Sequence, residues 1–327
     1  MTGVFSQKNP GNIMLLFMLG ILIKLPAFFH DKGFIVKTSD GAFYTGMVTF
    51  LKGASHGSPF FFAAISFGLN LLIAFILNNF INTERLMSRS NFLTGMAYIL
   101  ITSLLPSFNL LSANLVASVL LLTAFTLFYK SYNNKNNIFN AALLIGLASL
   151  FFLPAIFFTA WAFLALAILR PFRFSEWMIL LLGLTTPYYF YAAHLFLSDQ
   201  AYIPAYFFQL SFLNSQVNYS HWHAGALFLL LTPLLAGIYY MQANSPKMLF
   251  HVRKGWHLFI WYLVISMAIA LFDIEKTSEN MVLTLVPVAA FHGYGYLNAE
   301  LKLYPKIAFW LTIIFIAACQ LYSDLWH

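Results

Sequence analysis

Apolar stretches of about twenty residues, enough helix to cross a hydrocarbon layer of about 30 Å, recur along the whole of this 327-residue sequence. Such stretches leave the chain few choices. In lipid every backbone amide and carbonyl must be paired within the protein, so only helices or closed barrels cross. A barrel would show short alternating segments instead of continuous runs. Composition agrees: 61% of residues are hydrophobic and 8% charged, against about 25% charged in soluble domains. The sequence therefore reads as one all-α, polytopic transmembrane domain over residues 1–327. Its expected spans are Asn12–Phe29, Pro59–Asn82, Phe92–Leu105, Leu110–Tyr129, Ile138–Phe152, Ala155–Leu169, Trp177–Leu197, Trp222–Met241, Trp256–Phe272, Met281–Leu297 and Ile307–Tyr322, about eleven in all. Pro106-Ser107-Phe108-Asn109 and the region of Pro154 read as tight turns of helical hairpins, with the alternative that Pro154 kinks one longer helix.

Charge orients this bundle. Lys8, Arg85, Arg89, Lys130, Lys135, Arg170, Arg173, Lys247, Arg253, Lys254, Lys302 and Lys306 fall in alternate loops, whereas the intervening loops hold Lys32, Lys37, Lys52 and Lys276. Positive residues stay on the cytoplasmic side, so the N-terminus is expected to be cytoplasmic. The same pattern accounts for the net charge of +7 without nucleic acid, since the basic residues are scattered rather than gathered in a patch. Lys24-Leu25-Pro26 follows the first apolar run with no small-residue cleavage site, which reads as a retained span. The lone Cys319 allows no internal disulfide. Phosphate-loop and H-E-x-x-H motifs are absent, and no loop is long enough for a soluble catalytic module.

Polar residues gather in two outer segments, 30–58 and 198–221. In the first, Asp40 precedes Phe43, Met47, Phe50 and Leu51, which would share one face of a short amphipathic helix lying on the membrane surface. Asp40 reads either as the N-cap of that helix or as a carboxylate that takes a proton from a hydroxyl or holds a divalent cation against phosphate. The aromatic stretch around Tyr188 and Tyr191 through His194 reads as an interfacial belt or as a groove for a lipid tail or sugar face. His194 with His221 and His223 makes a weak metal set, because residues two apart diverge on a helix. Lys24, inside the first span, costs about 3 kcal/mol at a helix centre. Its amine either snorkels outward or turns inward beneath Asp40 to meet a phosphate or an acid. Glu279-Asn280, at the outer start of the tenth span, is a candidate partner.

The order of parts resembles the integral-membrane GT-C glycosyltransferases, which use polyprenyl-phosphate sugars. The likeness rests on a first span followed by an outer loop with an acid, here Ser39-Asp40-Gly41-Ala42-Phe43-Tyr44, then close hairpins through Tyr98–Pro106, Ser112–Tyr129 and Ala141–Leu147. Where many members of that family carry Asp-Glu, this chain has Asp-Gly. The resemblance implies Asp40 as general base or metal-holding acid, Lys24, Lys32 and Lys37 as donor-phosphate contacts, and a divalent cation as the candidate cofactor. The chain also looks like a family of polytopic membrane proteins from Bacteroidota, through Thr2-Gly3-Val4-Phe5 to Asn9-Pro10 and Lys24-Leu25-Pro26.

Three functions stay open. The first is sugar transfer at the outer face of a bacterial inner membrane, catalysed by Asp40 with Lys24, Lys32, Lys37, Tyr44, Tyr188, Tyr191, His194 and Glu279 binding substrate. Its expected partners are membrane lipids and a polyprenyl-phosphate-linked sugar. The second is a non-enzymatic subunit or scaffold that docks other membrane proteins of the cell envelope. The third, a transporter or flippase, is disfavoured because span interiors hold almost no ionisable groups besides Lys24.

Overall fold

A computed structural model describes residues 2–7, 11–29, 33–132, 134–199, 220–272, 277–301 and 303–322. In chain order the helices are α1 (Thr2–Phe5), α2 (Gly11–Lys24), α3 (Ala42–Ser55), α4 (Pro59–Thr83), α5 (Leu93–Ile101), α6 (Ala113–Lys130), α7 (Asn136–Phe151), α8 (Phe158–Leu169), α9 (Phe174–Leu197), α10 (His221–Asn244), α11 (Phe250–Phe272), α12 (Val282–Asn298) and α13 (Tyr304–Tyr322). Extended structure among the described residues is confined to two isolated bridges, Phe34 with Leu111 and Asp40 with Phe152.

Seven helical segments among the described residues are long and apolar enough to cross a membrane: Gly11–Phe29, Pro59–Thr83, Ala113–Lys130, Phe174–Leu197, His221–Lys247, Phe250–Phe272 and Tyr304–Tyr322. The side chains they turn outward are apolar, with Leu22 76%, Leu182 62%, Leu235 63% and Ile314 65% exposed, a surface suited to lipid and not to water. The remaining expected spans are shorter helices. α5 has 9 residues, a rise of about 14 Å, and each of them is buried. α12 has 17 residues and is buried from Val282 to Tyr296. These two pack on each other as an axis wrapped by longer helices, so their length is set by protein contacts and not by the bilayer.

Local chemistry sets the breaks. Ser112 caps α6 by accepting the Leu115 amide at 3.3 Å, and Pro59 occupies the first turn of α4, where its missing amide costs nothing. Between α7 and α8, Phe152 is extended and Pro154 lies in a short 3₁₀ turn over Leu153–Phe157. Pro154 therefore separates two helices.

Loops expected on one side do meet at one end of the bundle. Trp256 Nε1 donates to Leu86 O at 3.1 Å, Tyr129 Oη to His251 O at 3.2 Å, Lys254 Nζ to Leu169 O at 3.1 Å and Arg170 Nη1 to Ser131 O at 2.6 Å. There the Arg170 guanidinium also pairs with buried Glu176 at 2.8 Å. Above this end the core is aromatic, with Phe125 stacked on Trp161 at 5.3 Å and against Phe259 at 4.3 Å.

α10 meets α12 backbone to backbone at Gly237, where a Cβ would lie 2.1 Å from Phe291 O. Gly237→Ala is expected to push the helices apart and cost about 1–3 kcal/mol, the usual penalty for overpacking a tight core. A thermal unfolding midpoint in detergent equal to that of the parent protein would contradict this packing.

Candidate functional site at the Asp40 end

At the opposite end, the segment from Gly33 to Gly41 is sewn to two helix ends. Ile35 N–H donates to Leu111 O at 2.9 Å and Leu111 N–H to Gly33 O at 3.2 Å, while Gly41 N–H donates to Phe151 O at 2.8 Å and Leu153 N–H to Ser39 O at 3.3 Å. These bonds pair backbone groups of the segment within the protein. Glycine is required at position 41 because a Cβ there would stand 1.9 Å from Leu150 O.

That contact corrects the expected cap. The N-cap of α3 is Gly41, with no side-chain capping bond, and Asp40 turns back along the chain. Its Oδ2 accepts the Lys37 amide at 2.7 Å, and its own amide donates to Lys37 O at 3.2 Å, closing a turn on both sides. Asp40 as a residue is half-buried.

The α3 stripe is also displaced from the expected one. Tyr44 and Val48 are buried, with Met47 and Leu51 packed beside the core, whereas Phe43 and Phe50 are exposed. The cause is the Tyr44 hydroxyl, shared between Ile35 O at 2.7 Å and Leu111 O at 2.8 Å, which draws that face inward. Burial, with a smaller contribution from the Asp40 charge, raises the Tyr44 phenol above its ordinary range, so it stays neutral and donates.

Lys37 and Glu279, expected as separate substrate contacts, meet each other. Lys37 Nζ lies 2.9 Å from Glu279 Oε2, with the two side chains 4% and 9% exposed. The same ammonium donates to Asn280 Oδ1 at 2.7 Å and to Thr277 Oγ1. Asn114 Nδ2 braces the group by donating to Glu279 O at 2.9 Å. Beside it, His223 Nε2 and Ser278 Oγ share a hydrogen bond of 3.0 Å.

Lys24 does turn inward, but to neutral acceptors. Its Nζ donates to Asn109 Oδ1 at 2.5 Å and Thr102 Oγ1 at 2.9 Å, and the residue is 2% exposed. Among the described residues no carboxylate pairs with it. Lys32 lies outside the described residues, as does most of the second outer segment.

A cleft of about 450 Å³ opens beside α3, walled by Phe43, by Leu147 and Leu150 of α7 and by Phe190, Tyr191 and His194 of α9. Phe43 packs on Tyr191 at 5.4 Å and on Phe151 at 5.8 Å. Tyr188 is not among the lining residues; its hydroxyl and Ser149 Oγ lie 2.5 Å apart. Asp40 is not among the lining residues; it precedes the wall residue Phe43 by three positions in the chain and its backbone is bridged to Phe152, next to the α7 wall.

Sequence reasoning offered Glu279-Asn280 as a partner for Lys24, whereas the pair meets Lys37; it missed Thr102, Asn109 and Thr277 as acceptors for buried lysines, and the α7 wall of the cleft. An amide or hydroxyl near the end of an apolar run was the available signal for the first set; the leucines of α7 gave none. Among the described residues no three His, Cys, Asp or Glu side chains converge as metal ligands. Comparison with protein-family models, with curated proteins and with solved structures finds no match for this chain.

Proposed function

We propose that the protein is a GT-C-like glycosyltransferase that uses a polyprenyl-phosphate sugar, with the Asp40 end at the outer face of a bacterial inner membrane. The observation that carries this reading is an apolar, ring-lined cleft walled by Phe43, whose helix α3 starts two residues after Asp40, with the Asp40 segment tied by backbone bonds to the end of α7 that forms another wall. The basic residues collected at the opposite end support the orientation. The cleft is in the size range of small-molecule sites, and its leucine and aromatic walls suit a lipid tail, while Phe43 and Tyr191 offer faces for a sugar ring.

In the reaction, Asp40 takes the proton of an acceptor hydroxyl as its oxygen bonds to the anomeric carbon. The bond from that carbon to the donor phosphate breaks, and its electrons leave with polyprenyl phosphate. A non-catalytic subunit is the second reading, favoured by the ordinary turn that the Asp40 carboxylate closes on Lys37.

The test is turnover by the purified chain in lipid nanodiscs, given a panel of polyprenyl-phosphate hexoses and pentoses with membrane lipid extract as acceptor. Release of polyprenyl phosphate with sugar on a new product is expected. A folded protein that turns over no donor of the panel overturns the catalytic reading.

A further inference from the structure

We propose that Lys37 and Glu279 act as positioning residues that fix the Asp40 carboxylate from the buried axis of the bundle, rather than as contacts for substrate. This rests on the reading of Asp40 as the proton acceptor. Asp40 Oδ2 accepts the backbone amide of Lys37 at 2.7 Å, so the direction of the carboxylate follows the backbone at residue 37. That backbone follows its own side chain, which runs into the protein and ends against the first turn before α12.

Three oxygens surround the ammonium there. Lys37 donates to Asn280 Oδ1 and Thr277 Oγ1 and forms an ion pair with Glu279 Oε2. Side chains only 4% and 9% exposed leave no room for a phosphate to take an acceptor's place. Asn114 of α6 holds the Glu279 carbonyl at 2.9 Å, so the anchoring turn is itself fixed to a neighbouring helix. The result is a direct chain of contacts from the turn before α12 to Lys37 to Asp40. The Leu111 and Phe151 ties on either side are backbone bonds, and they would survive loss of the ion pair.

Hydrogen exchange and kinetics on the intact protein in nanodiscs test this together. In Glu279→Ala, and less strongly in Glu279→Gln, exchange at the Lys37 and Asp40 amides should rise at least 10-fold while the Leu111 amide keeps its protection. Turnover should fall at least 10-fold with the KM for polyprenyl-phosphate sugar changed less than 3-fold. The exchanged pair, Lys37→Glu with Glu279→Lys, should restore much of both. Unchanged exchange at residues 37 and 40, or a raised KM at constant turnover, overturns the positioning role. Failure of the underlying reading is separate: it would show as normal transfer by Asp40→Asn, whatever the exchange result.

Discussion

Asp40→Asn is expected to lower sugar transfer by about 10²–10⁴-fold, the usual contribution of a positioned general base, and to leave the fold intact. Asparagine keeps a carbonyl oxygen where Asp40 Oδ2 accepts the Lys37 amide, so the turn over residues 37–40 can close as before. What it loses is basicity, because an amide oxygen does not take a proton from a hydroxyl at neutral pH. Gly41 and its bond to Phe151 O are untouched, and so is the cleft wall at Phe43. A substitution that abolishes turnover while preserving the unfolding midpoint therefore separates chemistry from packing. Normal turnover would remove Asp40 from the reaction, and a lowered midpoint would show that its charge serves the fold.

Hydropathy made much of the bundle legible. The run from Pro59 ends at Thr83, one residue past its expected end at Asn82, and the run from Trp177 starts at Phe174 and ends at Leu197 as expected. Failures have physical causes. α11 begins at Phe250 instead of Trp256 because His251, Arg253 and Lys254 continue the helix beyond its apolar part. α5 stops at Ile101 instead of Leu105 because Pro106 holds Leu105 extended, and because a helix enclosed by protein need not span the bilayer. At the candidate site, the sequence pointed to the acid, to the lysines and to Glu279-Asn280, but matched that pair with Lys24 and not with Lys37. Lys37 and Glu279 belong to opposite ends of the chain, and only the seating of Lys37 against the turn before α12 joins them. The inward turn of Lys24 was equally hidden, since a lysine near a span end reads the same whether it faces lipid or protein.

Asn109→Leu is expected to destabilise the protein more than Lys24→Met, although lysine looks the more hostile residue in a membrane. Lys24 has no acid beside it among the described residues; its charge is held by the Asn109 and Thr102 oxygens. Removing the Asn109 oxygen leaves a buried ammonium with Thr102 as its remaining acceptor, and losing a hydrogen bond to a buried charged group costs about 3 kcal/mol, the upper end for such bonds. Removing the ammonium instead leaves neutral acceptors behind, at about 1–3 kcal/mol. The remainder of that loss is softened because Thr102 Oγ1 still donates to Tyr98 O at 2.8 Å and Asn109 Nδ2 to Leu105 O at 3.3 Å. The double variant, Lys24→Met with Asn109→Leu, should recover most of the stability lost in Asn109→Leu alone, since both poles disappear together. Denaturant or thermal unfolding of the detergent-purified variants measures the order. Equal losses in the two single variants, or a double variant no better than Asn109→Leu, would mean that the ammonium escapes to the membrane surface and is not held at Asn109.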